Sequence, residues 1–302
     1  MSTSLALILS KIQNKNPGHF SKLEANLAAL DAEYTIAANA FFDKYFSYLN
    51  RNNIELDFGI DCYLHMISDM LEERLKFIRE GSYSNSSFDD VEKRIYGNLE
   101  IMTYHMHGLV LAQFLWFDQY ERLVFFSRNL KKHHNNIQKY LEIGGGHGLY
   151  INEAISVIPE TPQFDLVDIS QSSLDLAKGI VNNDKINYYL KNIFDFSDDE
   201  KYDFITMGEV LEHVEDPLSL LQKIADLLSE DGVCYITTPI NAPMIDHIYL
   251  FNNEDEIRDL FRKANFEIIE EQIVISEKIT EKQAAKRKVP VMYAAFIKKN
   301  KK

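Results

Sequence analysis

A chain of 302 residues, 46% of them apolar, can build one or two domains with an ample core. Its 46 acidic side chains against 32 basic ones leave a net charge of −14, which argues against a broad nucleic-acid or anionic-membrane surface. Two cysteines, Cys62 and Cys234, supply neither a disulfide framework nor a cysteine-based metal site.

The apolar run LALIL at residues 5–9 is broken by Lys11 and is too short for a secretory signal. No stretch reaches transmembrane length, so the chain is expected to be cytoplasmic, with no membrane partner. Segments around 20–50, 58–80 and 88–130 carry apolar residues at spacings of three and four, which predicts helices. The stretch GSYSNSSFDD at 81–90 punctuates them and offers Ser87 and Asp89 as N-caps for the next helix. His105 and His107 stand at i and i+2, on different faces of a helix, and so are poor co-ligands. The aromatic stretch 114–126, with Trp116, reads as helix core. KKHHNN at 131–136 is a polar boundary, in which His133 and His134 are linker residues. Residues 1–130 are therefore expected to form an all-α domain that caps a crevice, selects substrate or makes a homodimer contact. Residues 131–302 form the second domain.

Beyond the boundary, strand-like runs at 138–143, 164–168, 187–191, 203–207 and 233–238 alternate with helical segments, which predicts a doubly wound parallel sheet. Cys234, inside one of these runs, is expected to be a buried thiol. The runs 266–275 and 289–297 have no long helical pattern between them and suit an antiparallel pair at the sheet edge. The first strand ends YLEIGGGHG at 140–148, and the second ends at Asp168. A strand, a glycine turn, a helix and a second strand tipped with an acid make a site for an adenosine-containing cofactor. The dinucleotide fingerprint needs a third glycine where Leu149 stands, and Glu142 would repel a pyrophosphate. An acid before the glycines suits a cofactor bearing a positive amino group. Asp168 can accept from both ribose hydroxyls.

Glu142, Gly144, Gly146 and Gly148 together resemble motif I of the class I S-adenosylmethionine (SAM) methyltransferases. The resemblance covers about 131–302 and implies a Rossmann-like α/β fold, a doubly wound seven-stranded sheet whose C-terminal strand pair is antiparallel, preceded here by the all-α region. It implies SAM as cofactor, with Ile169 and Ile193 beside the adenine ring. Asn192 stands where the family carries an acid for the adenine amino group, and its amide oxygen can accept the same bond. The stretch 202–239, which contains EVLEHVEDP, is similar to the ubiquinone-biosynthesis O-methyltransferase type. There a helix at 217–229 and a turn at Asp231 and Gly232 lead into the fifth strand.

Glu209, Glu212 and His213 stand at i, i+3 and i+4, on one face if the chain is helical there. Strands four and five open on the same crevice, which can bring His247 opposite His213. The four residues resemble the metal site of the plant small-RNA 2′-O-methyltransferase and suit a divalent ion such as Mg, Mn, Fe or Zn. In metal-free members of the superfamily the acid at Glu209 instead contacts the methionine part of the cofactor. His213 or His247 can serve as general base. The resulting expectation is O-methylation of a hydroxyl on a small-molecule acceptor, with or without a metal. The alternatives are an RNA-terminal 2′-O-methyltransferase, disfavoured by the acidic balance, and a SAM-binding regulatory protein without turnover. A nicotinamide dehydrogenase is disfavoured by the missing glycine.

Overall fold

The computed structural model describes residues 3–133, 137–161, 163–197 and 201–301. The first helices start where the sequence offers short polar caps. Thr3 caps α1 (Ser4–Lys15), Asn16 with the following proline caps α2 (Pro17–Leu27), and Asp31 caps α3 (Ala32–Arg51). The expected helical segment 20–50 is therefore two helices, parted at the Asp31 cap. Helix α4 (Leu56–Glu80) ends on Gly81 at φ +78°, a left-handed closure that glycine adopts without strain.

The expected segment 88–130 is likewise broken. It holds α5 (Phe88–Val91), a π-helical turn (Glu92–Tyr96), α6 (Leu99–Leu115) and α7 (Phe117–His133). Ser87 stands at the N-cap of α5 but makes no side-chain cap bond. The Phe88 N–H instead donates to Glu215 Oε1 at 2.9 Å, a cap supplied from the far side of the molecule. The polar boundary at 131–136 opens as the end of α7; residues 134–136, with His134, lie outside the described residues.

The second half alternates strand and helix. It runs β1 (Lys139–Ile143), α8 (Leu149–Val157), β2 (Gln163–Asp168), α9 (Gln171–Val181), β3 (Ile186–Leu190), β4 (Tyr202–Gly208) and α10 (Pro217–Leu227). It continues with β5 (Leu228–Ile240), α11 (Glu254–Lys263), β6 (Phe266–Ile275), α12 (Glu281–Arg287) and β7 (Val291–Lys299). The seven strands lie in the order β3-β2-β1-β4-β5-β7-β6. β1 to β5 pair in parallel, and β7 runs antiparallel between β5 and β6. This is the Rossmann-like sheet with an antiparallel C-terminal pair. The expected helix 217–229 ends at Leu227, and β5 starts at once. Leu228 pairs with Tyr202 and Val233 with Phe204, so where a turn at Asp231 and Gly232 is expected, residues 229–232 are an irregularity within β5 itself.

Side chains alternate across the strands, which builds a core on each face of the sheet. Tyr140, Phe204, Tyr235 and Phe296 point to one face, where they share a cluster with the N-terminal helices from Leu5 to Leu130. That core is continuous across residue 130. Phe126 of α7 lies 4.9 Å from the Tyr235 ring, so α7 is laid directly on the sheet. Leu141, Ile143, Ile205 and Ile236 face the other cluster. Cys234 is fully buried there. Among the described residues no helix is long and apolar enough to cross a membrane. The carboxyl ends of β1, β2, β4 and β5 open toward α6 and α7, and the candidate site lies in that crevice.

Candidate active site

The glycine turn closes tightly after β1. Gly144 and Gly148 take φ +65° and +74°. A Cβ at Gly144 would stand 2.5 Å from Val210 Cγ2, and one at Gly148 2.7 Å from Val181 Cγ2. Both positions therefore exclude side chains by conformation and by space. Asp168 ties this turn to the end of β2. Its Oδ2 accepts from the Gly146 N–H at 3.2 Å and its Oδ1 from the Ser170 N–H at 2.8 Å. Burial pushes its carboxyl up to about 6, although these amides favour the ionised form. Each oxygen keeps a second lone pair for a ligand.

Glu142 is buried at 3% exposure, and its Oε2 finds no hydrogen-bond partner among the described residues. Burial holds its carboxyl well above the usual range, and the Asp168 charge adds to the effect. A bound cationic group would satisfy the orphaned oxygen and return the ionised form. Ile169, Ile193 and Asn192 line the same crevice. Asn192 Oδ1 already accepts from the Phe194 N–H at 3.0 Å, so it caps its own turn while one lone pair remains. His147, in the turn, lines the crevice as well; burial pushes its imidazole down to about 4.

After β4 the chain does not enter an α-helix. Glu209 adopts φ +56°, and a 3-10 turn follows over Leu211–His213. Glu209, Glu212 and His213 therefore do not share a helical face. Glu209 Oε1 accepts from Arg122 Nη1 at 2.5 Å and from Thr237 Oγ1 at 2.7 Å. Arg122, on α7, is fully buried. Its guanidinium draws Glu209 away from the expected metal set. Glu212, His213 and His247 remain together, with one ligand atom of each within 4.8 Å of the others.

These three converge with defined roles. Glu212 Oε1 lies 3.8 Å from His213 Nε2 and 3.9 Å from His247 Nε2. It has no hydrogen-bond partner among the described residues, whereas Oε2 accepts from Thr238 Oγ1 at 2.8 Å. Burial, with the Glu209 charge behind it, holds the Glu212 carboxyl well above its usual range. His247 Nδ1 donates to the Ala242 carbonyl at 2.6 Å, which leaves Nε2 as the lone-pair nitrogen. Burial and the nearby His213 push the His247 imidazole down to about 3, so it is neutral. The two rings stand 4.9 Å apart and nearly perpendicular, at 89°.

Three more residues complete the site: Asp246 and Tyr96, which the sequence did not single out, and His105, which its spacing from His107 made a poor co-ligand. Asp246 Oδ2 lies 3.6 Å from His213 Nδ1 and 3.8 Å from His105 Nε2. Burial alone would raise the Asp246 carboxyl, but His213, His105 and His247 around it bring it below its usual value. Tyr96 places its hydroxyl 2.9 Å from His213 Nδ1. Of the two α6 histidines, His105 thus lines the crevice, and His107 bonds Tyr45 in the helical core at 2.6 Å. The sequence carried one signal for this set: Asp246 adjoins His247.

The crevice and the space behind it form one cavity of about 790 Å³, walled on the side away from the glycine turn by α6, α4, α2 and the start of β7. That is near the upper end for small-molecule sites. Five of the chain's eight methionines line it: Met70, Met102, Met106, Met244 and Met292. Polarizable, flexible side chains of this kind adapt to apolar ligands.

A family model described as a methyltransferase domain matches residues 114–271. A ubiquinone biosynthesis O-methyltransferase of Rickettsia bellii (strain OSU 85-389) is 26% identical over 204 residues, 59% of this chain and 83% of the relative. Its namesake in Actinobacillus pleuropneumoniae serotype 5b (strain L20) is 30% identical over 138 residues, 43% of this chain and 57% of the relative. The solved structure of the mitomycin 7-O-methyltransferase MmcR superposes with a TM-score of 0.53 at 12% identity. That match covers 76% of this chain and 67% of the other, and it is a likeness of fold.

Proposed function

Because this chain belongs to the methyltransferase-domain family and is a class I SAM-dependent methyltransferase, we propose that it methylates a hydroxyl of a small, largely apolar molecule with help from a divalent cation. The observation that carries the cation is the orphaned, buried Glu212 Oε1 facing two imidazole Nε2 atoms. One carboxylate and two imidazoles fit a borderline ion such as Mn, Fe or Zn better than Mg. His247 already has the arrangement expected of a ligand, its other ring nitrogen bonded to a backbone carbonyl. A cation held by Glu212, His213 and His247 would act as a Lewis acid that lowers the pKa of the acceptor hydroxyl.

The cofactor, when bound, supplies a methyl group already activated on a sulfonium, so positioning is most of the chain's task. Glu142 and Asp168 are assigned to bind its ammonium and ribose groups, and the glycine turn lets the backbone approach. Ile169, Ile193 and Asn192 are assigned to its adenine, and Glu209 to the methionine end of the crevice through its pair with Arg122. Without a cation His213 would be the base, since His247 has its Nδ1–H committed and a low basicity; with one, the His213 Nε2 lone pair would be spent on holding it. The helical region walls the cavity, excludes water and selects the acceptor. An apolar lining disfavours sugars, which need many hydrogen bonds, and the acidic balance disfavours RNA.

The test is release of S-adenosylhomocysteine from SAM by the full chain, offered apolar phenols and alcohols beside amine and sugar acceptors. Turnover is expected with a hydroxylated apolar acceptor, to fall at least about tenfold with chelator, and to return with Mn, Fe or Zn. Turnover only on amines would remove the O-methylation reading. Turnover indifferent to chelator would remove the cation.

Cofactor affinity should depend on pH through Asp168. The ribose contact needs the carboxylate, whereas the free protein holds this proton up to about pH 6. Affinity is therefore retained above that value and lost as pH falls through it, by about tenfold per pH unit. Calorimetric titration with S-adenosylhomocysteine between pH 5 and 7 checks this, and Asp168→Asn should flatten the profile while weakening binding. A dissociation constant that is level from pH 5 to 7 in the unaltered protein would contradict the assignment.

A further inference from the structure

The stretch that punctuates the helices in the sequence, together with the π-helical turn after it, reaches His213, Glu215 and the 242–247 loop. The Tyr83 hydroxyl accepts from the Ala242 N–H at 3.0 Å, and its ring packs 5.8 Å from that of His247. Asn85 Nδ2 donates to the carbonyls of Ile245 at 2.8 Å and His247 at 3.3 Å, and Arg94 holds its Oδ1 at 2.6 Å. The Phe88 N–H donates to Glu215 at 2.9 Å, two residues past His213. The π-helical turn is closed by the Gly97 N–H on the Glu92 carbonyl at 2.7 Å, an i to i+5 bond that widens the helix by a residue. Its last residue is Tyr96, whose hydroxyl meets His213 Nδ1 at 2.9 Å and donates to Asp246 Oδ2 at 3.5 Å.

We propose that residues 83–96 are a built-in clamp for the cluster, and that Tyr96 is a positioning residue that sets the tautomer of His213. A hydroxyl has one proton. Once the Tyr96 proton is directed to Asp246 Oδ2, its oxygen can only accept from His213, which then carries its own proton on Nδ1. The Asp246 carbonyl, 3.1 Å from the same nitrogen, accepts from the same proton. Nε2 is left bare and turned toward Glu212 Oε1. A bare Nε2 is what either a cation ligand or a general base requires, so the clamp serves the reaction through His213 without touching the acceptor. Asn85 and Tyr83 hold the 242–247 loop in the same way, which fixes His247 opposite. The methyltransferase sheet alone would leave both histidines without these partners.

This inference rests on the reading of Glu212, His213 and His247 as the reactive cluster, and the experiment separates the two. Nitrogen-15 spectra of histidine-labelled full chain, free of metal, report the His213 tautomer directly. The unaltered protein is expected to show a protonated Nδ1 and a bare Nε2. Tyr96→Phe, which keeps the ring, is expected to mix or reverse the tautomers. It should also lower kcat by about 10- to 100-fold with KM for SAM within about twofold. Asn85→Ala should lower kcat and leave the His213 tautomer unchanged. An identical His213 tautomer in Tyr96→Phe and the unaltered protein overturns the clamp, whether or not a cation binds. A shifted tautomer beside chelator-insensitive turnover keeps the clamp and removes only the cation reading.

Discussion

Glu212→Gln is expected to lower turnover by about 100-fold or more and to cost almost nothing in stability. Glu212 is fully buried, and in the metal-free protein burial keeps its carboxyl protonated well above the usual range. Glutamine has nearly the same shape and is also neutral. Its amide oxygen can accept from Thr238 Oγ1, as Glu212 Oε2 now does at 2.8 Å. The Glu212 backbone carbonyl, which accepts from the Ile248 and Tyr249 N–H groups at 2.8 and 2.9 Å, is untouched. The substitution removes only the oxygen that could lose its proton and hold a cation between two imidazole nitrogens. Metal content by mass spectrometry should fall with kcat, while the midpoint of urea unfolding of the metal-free protein should move by less than about 1 kcal/mol equivalent. Full activity in Glu212→Gln would end the assignment of this cluster to the reaction.

Glu209→Ala is expected to cost stability, because Glu209 is the counter-ion of a fully buried guanidinium. Arg122 has no exposure, and its Nε and Nη2 find no hydrogen-bond partner among the described residues. Asp118, the other acid acting on Arg122, is itself pushed up to about 6 by burial, against the pull of Arg122. Removing Glu209 leaves the cation stranded, at a cost of about 3–5 kcal/mol. Unfolding by urea should show this loss. The double substitution Arg122→Met with Glu209→Ala should recover most of it, because an uncharged side chain of similar volume needs no partner. A Glu209→Ala loss below about 1 kcal/mol, accompanied by release of bound cation, would instead restore Glu209 to the metal set.

These two acids stand three residues apart, and nothing local separates their roles. The expected helix would have put both on one face with His213. The chain instead passes through a left-handed residue and a 3-10 turn, because Glu209 is drawn back to Arg122, 87 residues earlier. The same kind of distance hid the other partners. Tyr96 reaches His213 across 117 residues and Asp246 across 150. Ser87 was legible as a cap position, but its helix is capped by Glu215 across 127 residues. By contrast the glycine turn, the acid before it and Asp168 lie within one strand-turn-helix-strand unit, where spacing alone sets geometry.

The amino-acid sequence by itself determined the sheet, its antiparallel C-terminal pair, the glycine turn after β1 and the SAM-dependent methyltransferase family. Each of these is written in a short-range period or motif: alternation in strands, glycines where left-handed backbone is needed, acids at strand ends. Tertiary structure alone decided which other partners the polar residues after β4 take. Glu212 and His213 meet His247 as the motif resemblance implied, but only the packing of the whole chain turned Glu209 to Arg122 and brought Tyr96 and His105 from the helical region to Asp246. Those choices depend on burying charge beside a partner, and a buried charge takes whatever partner the packing of the whole chain brings within reach.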